Sequence, residues 1–70
     1  MTAVLPVMAY DYGPVVTVME PGEWMTTREI SVISGKGMRY ALELLHTAVA
    51  DGKVEMRCGR WGYEWTLKGA

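Results

Sequence analysis

The sequence is short of the residues that staple or metallate small folds. It holds one cysteine, Cys58, and one histidine, His46. A lone cysteine closes no intrachain disulfide, and a small fold without disulfides suits a reducing compartment, so a cytoplasmic protein is expected. One His and one Cys also fall short of a tetrahedral zinc site, which takes four ligands at recognisable spacing. No apolar run approaches the ~18 residues of a membrane span. Met1 to Ala9 is apolar but short, carries Pro6 and lacks a basic flank, so a signal peptide is not expected. Internal repeats and low-complexity tracts are missing too. What is left is one soluble domain of 70 residues, half of them hydrophobic. A chain of that size buries only ~60% of its unfolded surface, so its core is thin.

The first 25 residues also lack any Lys or Arg. They hold Asp11, Glu20 and Glu23, a balance of −3, whereas residues 26–70 hold all seven bases and five acids, a balance of +2. The net charge of −1 therefore conceals an acidic beginning and a mildly basic remainder. Such asymmetry points weakly toward a polyanion partner for the second part, and the pattern of residues has to decide.

Residues 1–13 show no clear period and read as an N-terminal arm, with 14–70 as the domain. Pro14 suits a first helical position because that N–H needs no partner. The run from Val15 to Glu20, closed by Pro21-Gly22, is read as a first helix despite its β-branched content. Glu23-Trp24-Met25 reads as a short extended segment. Thr26 and Glu29 have capping-box spacing, so a second helix starts there, passes Ile30 and Ile33, and breaks at Ser34-Gly35-Lys36-Gly37. Ala41, Leu44, Leu45, Ala48 and Val49 fall at i, i+3, i+4, i+7 and i+8 and predict a third helix with one apolar stripe. Gly52 suits the left-handed position after its end. Val54, Met56 and Cys58, then Tyr63, Trp65 and Leu67, alternate with polar residues on either side of Gly59-Arg60-Trp61-Gly62. That predicts a β-hairpin whose Cys58 face is buried.

Helix, short strand, helix, turn, helix and hairpin is the order of an α+β winged helix-turn-helix, with three helices, a short strand and a two-stranded wing. The segment TTREIS, then MRYALELLHTAVADGKVEMR, then the terminal YEWTLKG, resembles the FaeA/PapI-like small regulators of fimbrial operons. That resemblance covers roughly the last forty-five residues. It implies a short DNA-binding protein that controls transcription beside larger partner regulators. It also implies a recognition helix over Met38 to Ala50 and a DNA-contacting wing near Arg57 to Trp61. The arm before Gly13, the glycine-rich turn and the near-neutral charge depart from the family.

In such a fold the third helix enters the major groove of duplex DNA. With Ala41 facing inward, its other face carries Lys36, Arg39, Tyr40, Glu43, His46 and Thr47. Arg39 suits a bidentate bond to guanine, and Lys36, at the positive helix end, suits a phosphate. Glu43 has three readings: an acceptor from cytosine, a repeller of phosphate, or a partner of Arg39 at i+4. Arg57 and Arg60 on the wing suit backbone or minor groove. Trp61, between glycines, either stacks on sugar or base, folds back onto the domain, or covers a partner subunit. Arg28, opening the second helix, suits a phosphate where that helix crosses the backbone.

Catalysis is not expected, nor is any cofactor or small-molecule substrate. Gly35-Lys36-Gly37 lacks the spacing of a phosphate-binding loop. Cys58 pairs with His46 as a nucleophile only if folding joins them, and the alternation assigns Cys58 to the core. The rival reading is a protein-interaction or dimerisation module. The acidic arm, with Leu5, Met8, Tyr10 and Tyr12, would then bind a second copy or a larger regulator, since fold alone does not fix function.

Overall fold

A computed structural model describes residues 11–69. Along the chain lie α1 (Gly13–Val16), β1 (Met25–Thr26), α2 (Thr27–Ser34), α3 (Met38–Ala50), β2 (Val54–Gly59) and β3 (Gly62–Leu67). The three strands form one antiparallel sheet in the order β1-β3-β2. The result is a small α+β domain of three helices and a three-stranded sheet, an order compatible with a winged-helix layout.

Local chemistry accounts for the helix boundaries. The Thr26 hydroxyl accepts from the Glu29 backbone N–H at 3.1 Å, and the Thr26 N–H donates to Glu29 Oε1 at 2.9 Å. Both halves of the expected capping box are therefore made, satisfying two amides at the helix start. Gly35 ends α2 with φ of 77°, a left-handed conformation that costs glycine little. The turn behind it is tied down, because Ser31 Oγ donates to the Lys36 carbonyl and the Lys36 N–H donates to Ser34 Oγ. In α3 the stripe of Ala41, Leu44, Leu45 and Ala48 is buried, with Val49 at its margin, as the spacing predicts.

The first helix is much shorter than the run to Glu20 suggests. It is a single turn over Gly13–Val16. The chain is drawn out of the helix by the sheet: Thr66 Oγ1 donates to the Glu20 carbonyl at 3.3 Å, and Pro21 bridges Leu67. The short strand likewise sits later than Glu23, at Met25–Thr26, where Met25 pairs with Trp65.

The core gathers Val15 and Met19, Met25, Ile30, the α3 stripe, Val54 and Trp65. Trp65 is fully buried and is the largest side chain there. Its indole N–H donates to Thr27 Oγ1 at 2.8 Å, and its ring meets His46 edge-on with centroids 5.2 Å apart. One side chain thus joins β3 to both α2 and α3. Deleting a core aromatic costs ~3–5 kcal/mol, a large share of the stability of so small a domain.

The hairpin runs in unbroken register from Val54↔Leu67 to Gly59↔Gly62, leaving Arg60 and Trp61 as a two-residue turn. Gly62 has φ of 114°, which a side-chain-bearing residue rarely adopts. Only the base of the hairpin packs on the body. Val54, Trp65 and Thr66 are buried, whereas Met56, Cys58 and Tyr63 are exposed. The expectation of a buried Cys58 is therefore wrong. The alternation marks a face of the hairpin, but that face runs beyond the helices that would cover it.

Tyr12, grouped by sequence with the arm, belongs to the packed body. It lies against the core, and its hydroxyl donates to Asp51 Oδ2 at 2.6 Å, just beyond the end of α3. That hydrogen bond, with lesser contributions from desolvation and the Asp51 charge, raises the Tyr12 pKa above its ordinary 10.0. A raised pKa means the folded state favours the protonated hydroxyl. The bond's contribution is complete below pH 10 and is lost as pH climbs through the raised value. Thermal unfolding of Tyr12→Phe should therefore show a smaller alkaline loss of stability than the parent chain. Parallel alkaline limbs for the two proteins would contradict this role for the bond.

Candidate nucleic-acid interface

The eight residues singled out by sequence come from α2, the turn before α3, α3 itself and the hairpin. Arg28 is exposed on the first turn of α2. Lys36 is half-buried in the turn, where its backbone is fixed from both sides. Arg39, Tyr40 and Glu43 are exposed along α3. Arg57, Arg60 and Trp61 are exposed on the hairpin, and Trp61 is 80% accessible.

A cleft of about 450 Å³ joins three of these regions. Thr26, Thr27 and Arg28 line it from the start of α2, Met38 from the start of α3, and Trp61, Gly62 and Tyr63 from the hairpin. Residues 35 positions apart thus meet across one opening. Arg39 follows Met38 directly, and Arg60 precedes Trp61, so both flank lining residues in the chain. The Arg60 guanidinium stands 5.7 Å from the Trp61 ring centroid, a cation–π distance.

Trp61 itself is neither folded back into the core nor scaffolded by it. Met38 and Tyr63 are also large and exposed, which gives the cleft an aromatic and apolar character beside Arg28. Clustering of that kind is the mixture that recurs on surfaces contacting nucleic acid, where cations hold phosphate and rings cover sugar or base.

Arg57 stands apart from the other cations. Its Nε donates to Glu64 Oε1 at 2.8 Å across the hairpin, where the two residues are directly opposed. Its guanidinium carbon lies 4.1 Å from the centroid of Trp24. Neither contact was anticipated from the sequence, which assigned Arg57 to the DNA backbone or minor groove. The signal that would have found the ion pair is the cross-strand register: a turn of Arg60-Trp61 places Arg57 opposite Glu64. Trp24 has no such local signal, because its position depends on how the segment before β1 crosses the sheet.

Other chemistries find less support in the arrangement. Cys58 is exposed on β2, facing its cross-strand neighbour Tyr63, while His46 packs edge-on against Trp65. Among the described residues no group of three or more His, Cys, Asp or Glu side chains is placed to hold a metal ion. No helix among them is long and apolar enough to cross a membrane. Leu5, Met8 and Tyr10 of the arm lie outside the described residues.

Gly59 reveals how closely the Glu64 side chain is held. A Cβ added at Gly59 would come within 2.3 Å of the Glu64 carboxyl carbon. Glu64 ends a flexible side chain, so it can move, but only by leaving Arg57. Gly59→Ala should therefore cost up to about 1 kcal/mol, the worth of a partly exposed pair. In a Glu64→Ala background the same change should be neutral or mildly stabilising, since nothing is left to displace. Urea unfolding of the four proteins measures the cycle. Equal costs in both backgrounds would show that the clash is not with Glu64.

No family model, no curated protein and no solved structure matches the chain.

Proposed function

We propose that this chain is a small winged-helix transcriptional regulator that binds duplex DNA. In this reading α3 lies in the major groove and presents Arg39, Tyr40 and Glu43 to base edges. Lys36 and Arg28 hold phosphates on either side, and the hairpin acts as the wing, with Arg60 and Trp61 on the backbone or minor groove. The observation that carries the reading is the cleft, where the first turn of α2, the first turn of α3 and the hairpin tip meet. Those are the three places from which such a fold reaches DNA. The resemblance of the segments between residues 26 and 69 to FaeA/PapI-like regulators agrees with it. So does the placement of all seven bases after residue 25.

The near-neutral total charge is no obstacle, because local potential rather than the sum steers association. Arg57 is the weakest of the proposed contacts, since reaching a phosphate would cost it Glu64 and Trp24. The remaining cations carry most of the electrostatics.

One observation favours a second reading, a module for binding protein. Val32 and Ile33 are 72% and 58% exposed at adjacent positions of α2, and they line a shallow apolar recess with Arg28 and Glu29. An exposed patch of that kind suits a second copy or a larger regulator. The part of the N-terminal arm that precedes Tyr12 is the other candidate contact for such a partner.

Fluorescence anisotropy with labelled duplex DNA separates the two. The DNA reading expects affinity that falls steeply with salt, as phosphate contacts release counterions. Arg39→Ala should weaken binding, and Arg60→Ala should weaken it and reduce the log–log salt slope by about 1. A flat titration at low salt would overturn the reading in favour of the protein module. Light scattering on the chain lacking residues 1–10, which leaves Tyr12 and its bond to Asp51 in place, would then show whether the arm makes a dimer.

A further inference from the structure

We infer that the cleft between α2, α3 and the hairpin tip is a receptor for an unpaired nucleobase, so that the protein prefers DNA carrying an exposed single-stranded end over uninterrupted duplex. The inference rests on the DNA reading above and assigns a ligand to one part of its surface.

The lining of the cleft is the reason. Trp61 and Tyr63 rise from the hairpin on one side and Met38 from α3 on the other, and all three are substantially exposed. Flat rings and a polarizable thioether suit the face of a planar aromatic ligand. Arg28, Thr26 and Thr27 complete the lining, and the Arg60 guanidinium lies 5.7 Å from the Trp61 ring centroid. An aromatic wall beside two guanidinium groups complements a base joined to its phosphate. An acidic or purely aliphatic ligand would use only half of it. The volume, about 450 Å³, also lies in the range of sites that enclose a small molecule.

Intact duplex cannot use this cleft well. Its base faces are covered by their neighbours in the stack, and only edges and backbone are presented to a protein. Stacking on Trp61 requires a base that has left the helix, as in an overhang or at a mismatch. The wing would then do more than grip backbone. It would bring the aromatic cleft to a duplex terminus while α3 holds the adjoining groove.

The test compares three fluorescein-labelled probes by anisotropy: a blunt duplex, the same duplex with a short overhang of unpaired thymidines, and the overhang strand alone. The overhang duplex should bind about tenfold more tightly than the blunt one, the ratio expected when one base stacks. Trp61→Ala should bring that ratio close to one, and Trp61→Phe should retain most of it. Circular dichroism guards against misfolding, and Trp61 is exposed enough that Trp61→Ala should melt with the parent. A ratio of one in the parent chain, with salt-dependent binding to both duplexes, would overturn this inference and leave the DNA reading standing. Absence of binding to all three probes would overturn both, which is the result expected of a cleft that serves a protein partner.

Discussion

Trp65 is the constraint on which the rest of the arrangement depends. It lies on the central strand, paired with Met25 on one side and Met56 on the other. It is wholly buried, and its indole N–H is satisfied by Thr27 at the first residue of α2. A buried indole without that partner would carry the desolvation cost of an unpaired donor, so the ring has one favourable orientation. Fixing it fixes the angle between the hairpin and α2. Its edge contact with His46 ties the same ring to α3. A thin core can hold three elements in register because one large residue reaches all of them.

The candidate interface follows from that geometry. The base of the hairpin is anchored at Val54, Trp65 and Thr66, and the remainder projects past the helices. Trp61 and Tyr63 are consequently carried outward to the starts of α2 and α3. The capping box sets where α2 begins and hence where Arg28 stands. The pinned turn through Gly35 and Lys36 sets where α3 begins and hence where Met38 and Arg39 stand. Stability and the proposed recognition therefore draw on the same few residues, but at different ends of the same elements.

Much of this was legible in the sequence because its signals are local. Thr26 and Glu29 announced the second helix, the Ala41-to-Ala48 stripe the third, and the glycines around Arg60-Trp61 the hairpin. What was not legible depends on distant parts of the chain. The run from Val15 to Glu20 gives no sign that Thr66 and Leu67 will pull it out of helical form after one turn. Alternation around Cys58 identifies a face without saying how far the helices extend over it. Arg57 reads as a cation for DNA until the register sets Glu64 opposite and Trp24 beneath the guanidinium. The cleft itself was invisible, since its lining is drawn from three separate segments.

The central claim is that those three segments form one DNA-binding face. Backbone amide chemical shifts, followed by NMR as unlabelled duplex DNA is added to the labelled chain, test it most directly. The account predicts that amides around residues 26–28, 36–40 and 60–63 shift together, with a common saturation curve. Shifts confined to the neighbourhood of Val32 and Ile33, or no saturable shifts at all, would contradict it.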